Sequence, residues 1–220
     1  MGAHIRKKSK TEKKQIVYLI GVFTLGLFLH LIPATRHIAI SLTEVFYFLI
    51  NLVILSFIVR TNKHNLTAFF LWAIPGIFII FILQVLSVNN NEFFGSFSYS
   101  SSLNHQIAGV PYIISFLWIT LIFTSLSLSS KITKNNLLRI LLAAFFVVLL
   151  DIILEPLGMK LGYWQWEHYS VPFQNYLMWF VISVVFSSAL IIMKIEPRSL
   201  IGRTYFIIIF IFFTILRIAL

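Results

Sequence analysis

The sequence predicts an all-α fold, a polytopic bundle of about seven helices crossing a membrane, on three observations. Of 220 residues, 59% are hydrophobic and only 11% are charged, and the mean hydropathy is +0.93. A soluble domain of this length clothes its surface with about a quarter charged residues, so water is the wrong solvent. The apolar residues gather into long runs, each able to cross about 30 Å of hydrocarbon at about 1.5 Å rise per residue. The charged residues, finally, are sorted by sign to the two ends of those runs.

Taken in order, the first run is Ile16–Ile32. Arg6, Lys7, Lys8, Lys10, Lys13 and Lys14 precede it, as they would in a signal peptide. The run is longer than a typical signal core, and it leaves through Pro33-Ala34-Thr35-Arg36 without a small-x-small cleavage pattern. It is read as a retained helix. Leu42–Val59 follows, with Glu44 near its start, and then Ala68–Leu86. After a long polar loop come Val110–Leu128 and Leu137–Leu154. Pro156 disfavours helix at Glu155, so the fifth helix is expected to end there. Tyr176–Met193 is the sixth run, with Asn175 placed to cap it, and Thr204–Leu220 is the seventh. No repeat or linker interrupts the series. Residues 1–15 therefore read as a basic cytoplasmic tail and 16–220 as a single transmembrane domain.

Loop charge orients the bundle. With the N-terminus in the cytoplasm, the inner side holds the six basic residues before the first span. To these it adds Arg60, Lys63, Lys131, Lys134, Arg139, Lys194, Arg198 and Arg203. Only Arg36, Lys160 and Arg217 of the 17 basic residues remain outside, with the C-terminus. The net charge of +10 thus follows from the positive-inside bias, and nucleic acid is not an expected partner. The acids sort the other way. Glu44, Glu92, Asp151, Glu155 and Glu167 fall outside, with His30, His37, His105 and His168, whereas Glu12 and Glu196 fall inside. Ionisable groups in or at a membrane mark sites, so the outer end is where chemistry is sought. The absence of cysteine excludes disulfides, thiolate metal sites, iron–sulfur clusters and a thiol nucleophile.

Asp151 and Glu155 are four residues apart, which puts both carboxyls on one helix face about one turn apart. Burial favours the neutral form of a carboxyl, and two close acids push their protonation apart. One can then donate a proton while the other acts as base. The bland alternative is pairing with Lys160 or with helix ends. Tyr163, Trp164 and Trp166 suit an interfacial aromatic belt. Beside two acids they also present faces that stabilise a cation by about 0.5–2 kcal/mol each. The stretch Glu92-Phe93-Phe94-Gly95-Ser96-Phe97-Ser98-Tyr99 has no base and many hydroxyls, and reads either as a cavity-lining re-entrant loop or as a plain surface loop. For Asn175, capping is preferred to a catalytic role.

Three segments in this order resemble the integral-membrane carotenoid biosynthesis family, whose named activities are the bisanhydrobacterioruberin and gamma-carotene hydratases. The first holds Phe94-Gly95, Tyr99, Gly109-Val110-Pro111 and Trp118. The second is Asp151-x-x-x-Glu155-Pro156 with Gly162-Tyr163-Trp164-x-Trp166, and the third is Val171-Pro172 with Asn175 and Trp179. The resemblance covers roughly residues 90 to 180. Phe97 stands where a second Tyr is expected, and Ser170 where Gly is commoner.

The resemblance implies a cofactor-independent hydro-lyase in a bacterial or archaeal-type cell membrane, acting on a lipid-soluble carotenoid. Protonation of the terminal double bond of a linear end group would give a tertiary cation, which water captures as a tertiary alcohol. Asp151, the deeper acid, is assigned as donor and Glu155 as base, with Glu92 and Glu44 as reserve acids. Tyr99, Trp118, Tyr163, Trp164, Trp166, Asn175 and Trp179 are assigned to substrate binding, and no metal is expected. An end-group cyclase shares the first step and is the nearest rival. A metal-dependent intramembrane hydrolase lacks close histidine spacing, and a prenyltransferase lacks a second acidic motif. A transporter or carotenoid-binding subunit is the non-enzymatic alternative.

Overall fold

The computed structural model describes residues 2–62, 64–195 and 197–220, with side chains from residue 12 onward except residue 61. The side chains of Arg6, Lys7, Lys8 and Lys10, together with Lys63 and Glu196, lie outside the described residues. Eight α-helices are present among those described: α1 (Gly2–Leu31), α2 (Pro33–Ser41), α3 (Thr43–Thr61), α4 (Leu66–Asn90), α5 (Tyr112–Ile132), α6 (Asn136–Leu161), α7 (Phe173–Ile192) and α8 (Leu200–Ala219). Seven of them are long and apolar enough to cross a membrane; the exception is the short α2. The fold is an all-α polytopic bundle.

The helix ends follow local chemistry. Pro33 opens α2 in the first turn, where its missing N–H costs nothing. Asn135 Oδ1 caps α6 by accepting the Leu138 N–H at 3.0 Å, and Ser199 Oγ caps α8 by accepting that of Gly202 at 3.0 Å. α1 extends back through the stretch expected as a tail, because Lys, Glu and Gln continue a helix at little cost once an apolar segment has formed it.

α6 departs from expectation. Its helix runs through Pro156 and ends six residues after Glu155, at Leu161. The proline removes one intrahelical bond, a loss that apolar, well-packed helices tolerate. The stop comes at Gly162, whose φ of 74° is left-handed. There the Tyr163 N–H donates to Gly158 O at 2.9 Å and the Gly162 N–H to Met159 O at 3.1 Å. This double closure is a Schellman motif and satisfies carbonyls that the helix end leaves open. α7 departs as well. Pro172 occupies the cap position, so Asn175 lies inside the first turn and does not cap.

α5 is the axis of the bundle. In its spanning window 83% of residues are buried, against at most 44% in any other span, and it packs on α3, α4, α6, α7 and α8. Several of its buried hydroxyls bond back to their own helix, Thr120 to Phe116 O at 2.9 Å and Thr124 to Thr120 O at 2.9 Å, while Ser127 bonds Ser199 O at 2.8 Å across to the start of α8. The outward faces are apolar, with Leu25, Leu71, Phe78, Phe145 and Val185 exposed. An apolar exterior over this much surface requires lipid.

Two short ribbons close one end. β1 (Phe97–Tyr99) pairs antiparallel with β4 (Trp164–Trp166), in the register Phe97↔Trp166 and Tyr99↔Trp164. β2 (Gln106–Ile107) pairs with β3 (Val110–Pro111) just before α5. Strand alternation puts Phe97, Tyr99, Trp164 and Trp166 on one face of the first ribbon. The loop expected to be either re-entrant or superficial is thus a folded cap.

Candidate functional site

Asp151 and Glu155 lie on one face of α6, 0% and 6% exposed respectively. Glu155 Oε2 accepts two indole N–H groups, from Trp164 Nε1 at 2.7 Å and Trp166 Nε1 at 2.6 Å. Asp151 Oδ2 accepts from Asn175 Nδ2 at 2.7 Å, while Asp151 Oδ1 has no donor facing it. The two carboxyls stand one turn apart on that face, close enough to interact electrostatically. Among the described residues, no Lys or Arg forms an ion pair with either. Lys160 is exposed, which removes the bland pairing considered above.

The tryptophans reach back to Glu155 because the Schellman turn reverses the chain at Gly162 and lays β4 along the end of α6. The Trp164 indole then rests on Gly158, so closely that any Cβ there would fall inside the ring. Gly158 is a helix position where only a bare Cα leaves room.

A cavity of about 780 Å³, counted with its mouth, opens beside Glu155. Tyr99, Trp118, Tyr163, Trp164, Trp166, Asn175 and Trp179, all expected from sequence, line it. Trp118 and Trp179 stack at 3.8 Å between centroids, and Phe94 packs on Trp179 at 4.9 Å. Phe97, in place of the expected Tyr, packs on Trp166 at 4.7 Å. The Tyr163 hydroxyl meets Thr43 Oγ1 at 2.7 Å, tying β4 to α3, and the Tyr99 hydroxyl donates to Gln84 Oε1. Burial pushes Tyr163 up to about 12, partly opposed by Thr43. Burial also holds Tyr99 well above the usual phenol range, reinforced by Glu155 and Asp151. Both phenols therefore stay protonated at neutral pH.

Two expectations change. Glu155 is expected at the end of its helix with Asp151 one turn deeper; Asp151 is indeed the more buried of the two, but the helix continues and it is Glu155 that lines the cavity. The cause is the continuation of α6 past Pro156, which carries Glu155 inward. Glu92, a reserve acid, is exposed and does not line the cavity. Left-handed Asn91 ends α4, and the inward position after it goes to Phe94, 1% exposed.

Sequence reasoning missed Gln84, Thr43, Tyr47 and Phe213, which also line the cavity. Gln84 left a signal, a lone amide within the apolar run Ile79–Leu86. The others are distant in sequence, on α3 and α8, and only packing brings them in. A second, apolar cavity between α1, α2 and α3 shares Thr43 and Tyr47 with the first.

The carotenoid biosynthesis protein family matches residues 42–220. The chain belongs to that family. The match reaches well beyond the segment of about 90 residues on which the resemblance was read, and takes in every cavity-lining residue. The chain is also 27% identical, over 105 residues, to the bisanhydrobacterioruberin hydratase of Haloarcula japonica. That stretch covers 44% of this chain and 36% of the relative, so just over a third of the relative's length is represented. No solved structure matches the chain. Family membership and seven apolar helices make it a multi-pass membrane protein of the carotenoid biosynthesis family.

Proposed function

We propose that this family member adds water across the terminal double bond of a linear carotenoid end group, giving a tertiary alcohol. The observation that carries the proposal is the carboxyl of Glu155, set in the wall of an aromatic cavity with the buried carboxyl of Asp151 one helical turn away and, among the described residues, no cation in an ion pair with either. Two neighbouring carboxyls in apolar surroundings resist holding two charges, and in this reading the pair carries one proton. Glu155, the member facing the cavity, delivers it to carbon. Asp151 is the positioning partner that shares and returns it, and the two titrate as one unit.

Protonation of a trisubstituted alkene leaves a tertiary cation. Trp118, Trp164, Trp166 and Trp179 line the cavity in which it would form, and an aromatic ring that turns its face to the cation contributes about 0.5–2 kcal/mol of stabilisation. The second, apolar cavity, which shares the lining residues Thr43 and Tyr47 with the first, suits the apolar polyene behind the end group. Loop charge places the acid pair toward the outer face, with the N-terminus in the cytoplasm. The same protonation followed by ring closure would make a cyclase, and the product's mass separates the two.

The test is expression in a host that makes lycopene or gamma-carotene. A pigment heavier by one water is expected, and Asp151→Asn and Glu155→Gln should accumulate the unhydrated carotenoid at normal protein level. Hydration by both variants at the wild-type rate would sink the proposal.

A further inference from the structure

Hydration has two proton steps, and the Asp151–Glu155 pair serves the first. The second takes a proton from the water that captures the cation. Glu155 is poorly placed for it, since Oε2 already holds two indoles and the partners of the pair, Trp164, Trp166 and Asn175, are all buried. The cavity has one other acid. Glu44, in the first turn of α3, lines the same wall and is 8% exposed. Its Oε2 accepts from the Asn104 N–H at 3.0 Å and its Oε1 from the His105 N–H at 3.3 Å, while His105 Nδ1 lies 3.0 Å from Oε2 and donates or accepts according to its tautomer. Two backbone N–H donors suit a carboxylate, and Oε1 keeps a lone pair in reserve. His105 lies on the far side of Glu44 with 62% of its side chain exposed. The two residues therefore span from the aromatic cavity to the surface beyond the ribbons.

We propose that Glu44 is the general base of the hydration and that His105 carries its proton to solvent. The inference rests on the hydratase reading. Glu155 gives a proton to the alkene, whose π pair becomes the new C–H bond and leaves the cation. A water lone pair forms the C–O bond while Glu44 takes one of that water's protons. Glu44 passes this proton to Nδ1 of the His105 tautomer that carries its hydrogen on Nε2, Nε2 releases its own proton to solvent, and the Asp151–Glu155 pair regains one from solvent. The sum is alkene plus water to alcohol, with no oxidant or reductant.

The experiment uses the full chain in lipid vesicles of phosphatidylcholine with lycopene in D2O, reading both hydrated product and deuterium in the recovered lycopene. In Glu44→Gln, hydration should fall about 100-fold. Deuterium should still enter recovered lycopene within about threefold of wild type, because protonation and its reversal continue. His105→Phe keeps both backbone bonds to Glu44 and should show the same split, with a loss of about tenfold. Hydration by Glu44→Gln near the wild-type rate would overturn the proposal. So would joint loss of hydration and exchange, which would make Glu44 a loop anchor only. Wild-type protein giving neither hydration nor exchange rejects the hydratase reading itself.

Discussion

Replacing Gly158 by Ala adds one methyl group where the Trp164 indole already lies. At an ordinary position inside a helix the same change stabilises by about 1 kcal/mol, because Ala is the better helix former. Here the sign reverses. Forcing a methyl into a filled space costs about 1–3 kcal/mol. If the ring moves away to relieve the clash, Glu155 Oε2 loses the 2.7 Å bond from Trp164 Nε1. A hydrogen bond to a carboxylate in such a place is worth about 1.5–3 kcal/mol. At about 1.4 kcal/mol per factor of ten, disturbance of this one contact predicts a fall in turnover of about 10- to 100-fold. The assay is hydrated pigment per unit of protein, with the thermal midpoint of the detergent-solubilised protein measured alongside. A midpoint at or above wild type with unchanged turnover would refute the argument that Trp164 depends on a bare Cα at 158.

Trp166→Phe keeps the ring but removes the 2.6 Å N–H bond to Glu155; turnover should drop about tenfold while the protein still folds, and the effect should not add to that of Trp164→Phe because both act on one oxygen. Asn175→Ala leaves Asp151 Oδ2 buried without its donor, which predicts a loss of about 1–3 kcal/mol in stability, read as a lower thermal midpoint. Tyr163 is held at about 12 by burial, against 10.0 when unfolded. Its contribution is therefore complete below pH 10 and lost as pH rises toward 12, where the folded state holds a proton that the unfolded state has released. Tyr163→Phe should flatten that part of an alkaline unfolding curve.

The membrane class, the seven spans and the acid pair are properties of local composition. An apolar run long enough to cross a bilayer is visible without knowing its neighbours, and a four-residue spacing places two side chains on one helix face whatever surrounds them. Trp164 and Trp166 were legible for a related reason, since they follow the acids closely in the chain. The end of α6 was not. Pro156 states a preference, and the packing of the ribbon against Gly158 and the Schellman turn at Gly162 outweigh it.

Sequence alone determined that carboxyls and aromatics would gather at one end of an apolar bundle, because each belongs to a contiguous segment with its own periodicity. Only the tertiary structure decided which carboxyl faces the cavity, that Asn175 bonds Asp151 instead of capping a helix, that Gln84 and Thr43 share the site, and that of the two reserve acids Glu44 lines it and Glu92 does not. Those contacts join α3, α4, α6 and α7, and side chains separated by scores of residues meet only when their helices pack.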